Sequence, residues 1–349
     1  MFHNLFDLAT AGCCALHLPF VALHAACQKT VMRPCYAAAA RQLSWIRRRA
    51  LTRTRIAVIG DIHHGRDTPT KRGSRALPLL QQFVAKVNAE NIDTVIDLGD
   101  RISDEDPERD RLLQSDVAMS FAELRASHHH VSGNHDVAML TLDDNEAIFD
   151  LPSGSRQRII GHVRCVFWQP DVRLAPTRGF RLSAGDLDAL ADLLGQDDRP
   201  TLLVSHVPLS GHAQHGNYYF EANPGHATYA ELDQIRATMA HAPCPIVALA
   251  GHVHWNTLTT VDGTPHITLQ SLTETFISGD AAEAFGVLDI EGDELRWVVR
   301  GREPVSIVLP WPKTKSRWRS PLPRFVDAAP TAPGQARSAG VHEDAATVR

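Results

Sequence analysis

Five short apolar runs in this chain each end in a glycine or serine followed at once by a side chain that can bind a metal. Residues 56–59 close on Gly60-Asp61, with His63 two places on, and residues 94–98 close on Gly99-Asp100. Residues 130–132 lead into Gly133-Asn134-His135, residues 201–204 close on Ser205-His206, and residues 246–250 close on Gly251-His252, with His254 beyond. Apolar runs this short read as strands buried on both faces. Between them the period changes. Leu77, Leu80, Val84 and Val87 recur at helical spacing within residues 74–91, and a second helix is expected over residues 107–126, with Pro107 in its first turn. A capping-box pattern at Ser183 to Asp186 opens a third, through Leu187 to Leu194. Alternating strands and helices predict a layered α/β fold, in which the C-terminal ends of the strands converge on one crevice.

The donors gathered there would be Asp61, His63, Asp100, Asn134, His206, His252 and His254. The 349 residues contain 19 histidines and 6 cysteines, so any metal chemistry runs on imidazole, carboxylate and amide rather than thiolate. Such a set suits Mn, Fe or Zn, and two divalent ions about 3.5–4 Å apart form the clamp used for phosphoryl transfer. No C-x-x-C pair occurs, so neither a disulfide framework nor a thiolate zinc site is indicated, which favours a reducing compartment. The formal charge of −5 lacks the footprint of a protein that tracks extended nucleic acid. It is compatible with a small phosphorylated substrate held by metal ions.

Three segments are expected. Residues 1–54 read as a poorly ordered leader or a start placed too early, with Met32 as a second start. Within them, residues 5–27 are apolar but broken by Asp7, His17, Pro19 and His24, and no basic residue other than histidine precedes them. That pattern fits neither a membrane span nor a secretory signal well, so a cytoplasmic enzyme is expected, with export through residues 5–27 left open. Residues 55–302 form the catalytic domain, closing on an antiparallel run at 255–261, 265–270, 285–290 and 294–300. Residues 303–349 read as a Pro/Arg-rich tail. His128, His129 and His130 are expected as the polar, surface entry to a strand.

The blocks Asp61-Ile62-His63, Gly99-Asp100, Gly133-Asn134-His135-Asp136, Ser205-His206 and Gly251-His252-Val253-His254 together resemble the calcineurin-like metallophosphoesterase superfamily. All five stand in the family order. The resemblance implies a four-layer αββα sandwich with a dinuclear metal site at the C-terminal ends of the strands. It implies that Asp61, His63 and His254 hold one ion, that Asn134, His206 and His252 hold the other, and that Asp100 bridges them. The implied reaction is hydrolysis of a phosphoester by a hydroxide bridging the ions. His135 would protonate the leaving group. Its orienting partner stays open between Asp104 and Asp136. The aspartate–arginine pair of the protein phosphatase branch is missing, since Ser103 and Asp104 occupy those positions. That departure points to the phosphodiesterase-like branch and a small diester such as a cyclic nucleotide. A phosphomonoesterase, a repair-type nuclease and a catalytically silent scaffold are the alternatives.

Substrate selection is expected from residues 207–228, a loop without clear periodicity that carries His212, His215, Tyr218, Tyr219, Asn223 and His226. Candidate substrate contacts are His64, His212, Tyr218 and Tyr219, the two tyrosines as a platform for a base. His64 has an equal claim to a structural role. The sequence does not indicate an oligomeric state.

Overall fold

Both faces of the short apolar strands are buried, and each face has a different partner. The computed structural model describes residues 53–276 and 278–315. In chain order the elements are β1 (Arg53–Ile59), α1 (Ala76–Ala89), β2 (Thr94–Asp97), α2 (Pro107–Phe121), β3 (Ser127–His130), α3 (Leu142–Phe149), β4 (Arg156–Ile160), β5 (Val163–Phe167) and α4 (Ala184–Gly195). There follow β6 (Thr201–Val204), α5 (Leu232–His241), β7 (Ile246–Ala250), β8 (Thr257–Val261), β9 (Thr264–Thr268), β10 (Phe285–Glu291), β11 (Glu294–Arg300) and β12 (Val305–Pro310). They build two six-stranded sheets, ordered β12-β11-β10-β1-β2-β3 and β4-β5-β6-β7-β9-β8.

Side chains two apart on a strand share a face. In β1, Ile56 and Val58 point between the sheets and meet Phe167, Leu202, Val204 and Leu249 of the second sheet. Ala57 and Ile59 point the other way, onto Leu80, Phe83 and Val84 of α1 and Val117 and Phe121 of α2. The second sheet repeats this arrangement, with Leu203 and Ala248 against Leu190 and Leu194 of α4 and Ile235 and Met239 of α5. The result is the expected four-layer αββα sandwich. β1, β2 and β3 run parallel, as do β5, β6 and β7, so their C-terminal ends emerge on the same side within each sheet. The capping box is present, with the Ser183 hydroxyl accepting from the Asp186 amide and the Asp186 side chain from the Ser183 amide.

Several local expectations are corrected. The antiparallel run divides between the sheets: β8 pairs with β9 at the edge of the second, while β10 pairs with β1 and β11 in the first. A tail beginning at residue 303 is also overturned. β12 pairs with β11 across six residues, Ile307 and Leu309 pack on the core, and Trp311 is buried. The short alternation in Val-Ser-Ile-Val-Leu-Pro is that of an edge strand, where a terminal proline is tolerated. At the other end, Arg53 and Thr54 belong to β1, so the sheet begins inside the segment expected as leader. The leader through residue 52, with its apolar stretch, and the chain from residue 316 lie outside the described residues. Among the described residues no helix is long and apolar enough to cross a membrane.

His128, His129 and His130 lie within β3 rather than at its entry. His130 is buried with Nδ1 2.8 Å from Asp97, and His128 stacks on Phe121. Burial pushes His128 and His129 down to about 4, so at neutral pH both pack as uncharged rings.

The placement of β12 gives a stability prediction. Trp311→Ala empties a buried site between sheets and should lower the unfolding free energy by about 3–5 kcal/mol. Urea unfolding followed by fluorescence measures this. An unchanged midpoint and slope would mean that residue 311 lies in a loose tail after all.

Candidate metal centre

The loops at the strand ends are held in backbone conformations that few residues adopt. Asp61, His63, Asp100, His252 and His254 have φ of 50°, 49°, 53°, 69° and 58°. This left-handed region is costly for most side chains and is least unfavourable for Asp, Asn and His. Cross-loop hydrogen bonds hold it. The Asp61 amide donates to the Gly99 carbonyl at 2.8 Å, and the His63 amide to the Asp100 carbonyl at 3.0 Å. The His252 amide donates to the Asp61 carboxylate at 3.0 Å, and the Ser271 hydroxyl donates to the Asp61 carbonyl at 2.6 Å. Two glycines of the motifs serve close approach. A Cβ at Gly133 would lie 2.2 Å from Asp100 Oδ1 and 2.6 Å from His206 Cε1, and one at Gly251 would lie 2.5 Å from Asp61 Oδ2.

This backbone brings the seven expected donors together. Asp61, His63, Asp100 and His254 form one buried group, and Asp100, His206 and His252 a second, with the donor atoms of each group within 4.8 Å of one another. Asp100 belongs to both. His63 Nε2 and His254 Nε2 face each other at 2.9 Å, with Asp61 Oδ1 3.4 Å from the latter. Asp100 Oδ2 lies 3.8 Å from His63 Nε2 and 3.4 Å from His206 Nε2. Asn134 Oδ1 is 3.3 Å from His206 Nε2, which places the amide beside the second group.

The unpaired atoms suit metal ions. His252 Nε2 is 2.8 Å from the His226 carbonyl, so that nitrogen carries the proton, while its Nδ1 is buried with no hydrogen-bond partner. His206 Nδ1 likewise donates to the Leu98 carbonyl at 2.7 Å, which leaves Nε2 to face Asp100 and Asn134. A ring nitrogen held by a carbonyl fixes the tautomer that presents the other nitrogen to a cation. Burial, with the charge of His206, pushes His252 down to about 3, and burial with Lys71 holds His63 well below its ordinary value. Both are therefore neutral rings at neutral pH. Burial alone would raise the Asp100 carboxyl, but His206, His135 and His63 hold it well below the carboxylate range. His206 is the exception. Burial opposes its protonation, yet Asp100 lifts it to about 9, so a cation arriving there would displace a proton.

His135 stands beside the cluster. Its ring centroid is 4.9 Å from that of His63, and its amide donates to Asp100 Oδ1 at 2.9 Å. Its Nδ1 pairs with the Asp104 carboxylate, which settles the open partner. Burial lowers the His135 pKa, but Asp100 and Asp104 outweigh it and the value rises. Asp136 has another task. It accepts from the amides of Asp100, Arg101 and Gly133 and from the Gln114 side chain, all at 2.8–2.9 Å. Arg101 turns into the fold, where it meets Asp97 at 2.9 Å and Asn145 at 3.0 Å.

The expected substrate contacts do not gather as a group. His64 Nε2 lies 3.4 Å from Asp116 of α2. His212 Nδ1 accepts from the Gln214 amide and shapes a turn. The tyrosine pair separates. The Tyr219 hydroxyl bonds His226 Nδ1 at 2.8 Å and so braces the residue whose carbonyl holds His252. Tyr218 is half-exposed, with its ring centroid 4.3 Å from Phe276, and Phe276 is 6.1 Å from Trp255. Phe276, Trp255 and Lys71 were not singled out in the sequence. Only Trp255 carried a local signal, as the neighbour of His254.

The calcineurin-like phosphoesterase family model matches residues 54–256, more than half of the chain. The chain belongs to that family. This calcineurin-like phosphoesterase is therefore a metal-dependent phosphoester hydrolase with divalent ions at a dinuclear site. No curated protein matches it by sequence. Among solved structures, it is similar to a dimetal phosphatase from Danio rerio at 16% identity and TM-score 0.58, covering 74% of this chain and 99% of that one. It is also similar to the purple acid phosphatase PPD1 from yellow lupin (Lupinus luteus) at 15% identity and TM-score 0.54, covering 74% of this chain and 54% of that one. At such identities the likeness is one of fold.

The close approach at Gly133 can be tested on metal loading. Wild-type phosphoesterase reloaded with Mn should bind two ions per chain by mass spectrometry. Gly133→Ala pushes a methyl group into Asp100 and His206 and should fall below two, while far-UV circular dichroism stays unchanged. Full loading of the variant would refute the constraint.

Proposed function

We propose that this phosphoesterase hydrolyses a small phosphodiester, with Asp61, His63 and His254 holding one ion, Asn134, His206 and His252 the other, and Asp100 serving both. The observation that carries this reading is the pair of donor groups sharing Asp100, with the His135–Asp104 pair at their edge. When bound, the ions supply charge neutralisation on the phosphoryl oxygens and a water acidified enough to act as nucleophile near neutral pH. Asp104 fixes the His135 ring so that its Nε2 faces away from the carboxylate, free to give a proton to the departing alkoxide. Expulsion of a poor leaving group depends on that proton, whereas a nitrophenolate leaves without it.

Two features favour a diester over a monoester. The arginine next to Asp100 is committed to the interior, and Ser103 stands where a phosphate-binding pair would begin, so neither position supplies an arginine to a phosphate. A diester carries one negative charge and asks for less compensation than a dianionic monoester. Beyond His254, Tyr218, Phe276 and Trp255 offer an apolar shelf for an organic substituent, which suits a cyclic nucleotide or another diester with a planar group. The cytoplasm is the compartment proposed for this chemistry.

The Mn-loaded enzyme should cleave bis-p-nitrophenyl phosphate faster than p-nitrophenyl phosphate, and Asn134→Ala or His252→Ala should reduce either rate to background. Cleavage of the monoester alone would overturn the diester reading. His135→Ala should cost about 10²–10⁴-fold on an alkyl ester and much less on a nitrophenyl ester. Equal losses on both esters would remove His135 from proton transfer. Asp104→Asn should show the same leaving-group dependence with a smaller loss.

A further inference from the structure

Lys71 lies in the connection between β1 and α1 and has no part in the reading above. Its Nζ is 3.4 Å from His63 Nδ1, and among the described residues that is its only side-chain partner. The backbone around it is fixed. Lys71 forms a β-bridge with Glu274, the Arg72 amide donates to the Thr273 carbonyl at 2.9 Å, and the Thr275 amide donates to the Thr70 carbonyl at 2.9 Å. Thr273 in turn donates through its hydroxyl to the Ile62 carbonyl at 3.0 Å, which ties the strap to the loop carrying Asp61 and His63. The position of Lys71 at the donor cluster is therefore built into the backbone.

Its one partner is of the wrong kind. A neutral imidazole carries a proton on one nitrogen only, and an ammonium has three donors and no acceptor. If His63 Nε2 faces a cation, its Nδ1 must carry the proton and cannot accept from Lys71. The ammonium is then left beside a donor, in a part-buried site where an unpaired charge is costly. No described carboxylate pairs with the ammonium directly. An anionic acceptor reaching the cluster from solvent would supply the missing partner.

We propose that Lys71 is a substrate-contacting residue whose ammonium binds a non-esterified phosphoryl oxygen. The inference rests on the reading that His63 Nε2 faces one of the ions. It assigns the strap between β1 and α1 to phosphate binding, a role separate from holding metal. A lysine suits the task, because a compact point charge on a flexible stem can follow the phosphoryl group as its geometry changes.

The test uses inorganic phosphate as the probe. Phosphate is titrated calorimetrically into the full-length Mn-loaded wild type, Lys71→Met and Lys71→Arg, with the metal content of each counted by mass spectrometry. Lys71→Met should retain two ions per chain and bind phosphate at least about tenfold more weakly, the loss expected for one charge-assisted hydrogen bond. Its KM for bis-p-nitrophenyl phosphate should rise in parallel, while Lys71→Arg keeps most of the affinity. Lys71→Gln supplies the same readout if the Met variant does not fold. Unchanged phosphate affinity in the Met and Gln variants overturns the proposal, as does a wild type that does not bind phosphate. Loss of metal from these variants also overturns it, since Lys71 would then hold the donor loop in place rather than bind phosphate. A wild type that binds phosphate through Lys71 but cleaves neither nitrophenyl ester overturns the diesterase reading alone.

Discussion

The buried ionic network of Asp97, Arg101 and Asp136 fixes the ground on which the metal centre stands. Arg101 reaches Asp97, Ser132, Asn145 and the Val131 carbonyl, and so ties the end of β2 to the segment that follows β3. Asp136 gathers the amides of Asp100, Arg101 and Gly133 onto one carboxylate. The loops after β2 and β3 are thereby locked to each other and to α3 before any cation enters. Leaving one charge of such a network unpaired costs about 3–5 kcal/mol, so each member depends on the others. The left-handed backbone at Asp100 is affordable only inside such a frame.

The same frame explains why the motifs are short. A donor displaced by one residue along a strand end would change side of the sheet, since alternate residues face opposite layers. The residues that leave the strand in the left-handed conformation, Asp61, Asp100 and His252, are themselves the donors. Glycine before the donor lets the neighbouring loop close to van der Waals distance, as Gly133 does over Asp100 and Gly251 over Asp61. The pattern of glycine then aspartate, asparagine or histidine thus records a backbone requirement as well as a metal preference.

That double requirement is why the centre could be read from the sequence. The runs at 56–59, 94–98, 201–204 and 246–250 carry their own donors, so strand and chemistry announce each other. Elements without such a marker were less legible. β4 opens with Arg-Gln-Arg, polar because it is an edge strand, β5 carries Arg164 within an otherwise apolar run, and α3 and α5 are short and polar on most of their surface. β12 was hidden by the prolines around it, and the division of β8 to β11 between two sheets depends on long-range pairing that no local pattern encodes. The choice of Asp104 over Asp136 for His135 lay beyond the sequence as well. Both are aspartates close to the motif, and only the competing demand of three backbone amides commits Asp136 elsewhere. Lys71 was missed for a related reason, since it reaches the centre through a strap zipped to residues 273–275.

Charge balance links the centre to its substrate. Two divalent ions bring four positive charges, against which the donor set offers the carboxylates of Asp61 and Asp100, an amide and four imidazoles. Asp104 is paired with His135, and Asp136 and Asp97 face Arg101 below the site. The loaded crevice is therefore positive although the chain as a whole carries a formal charge of −5. Within a desolvated crevice that local imbalance outweighs the distant surface charge, which solvent and salt screen over about 8–10 Å. A phosphoryl group is the natural complement. As a ligand, the neutral amide of Asn134 would leave more of that charge uncancelled than a third carboxylate.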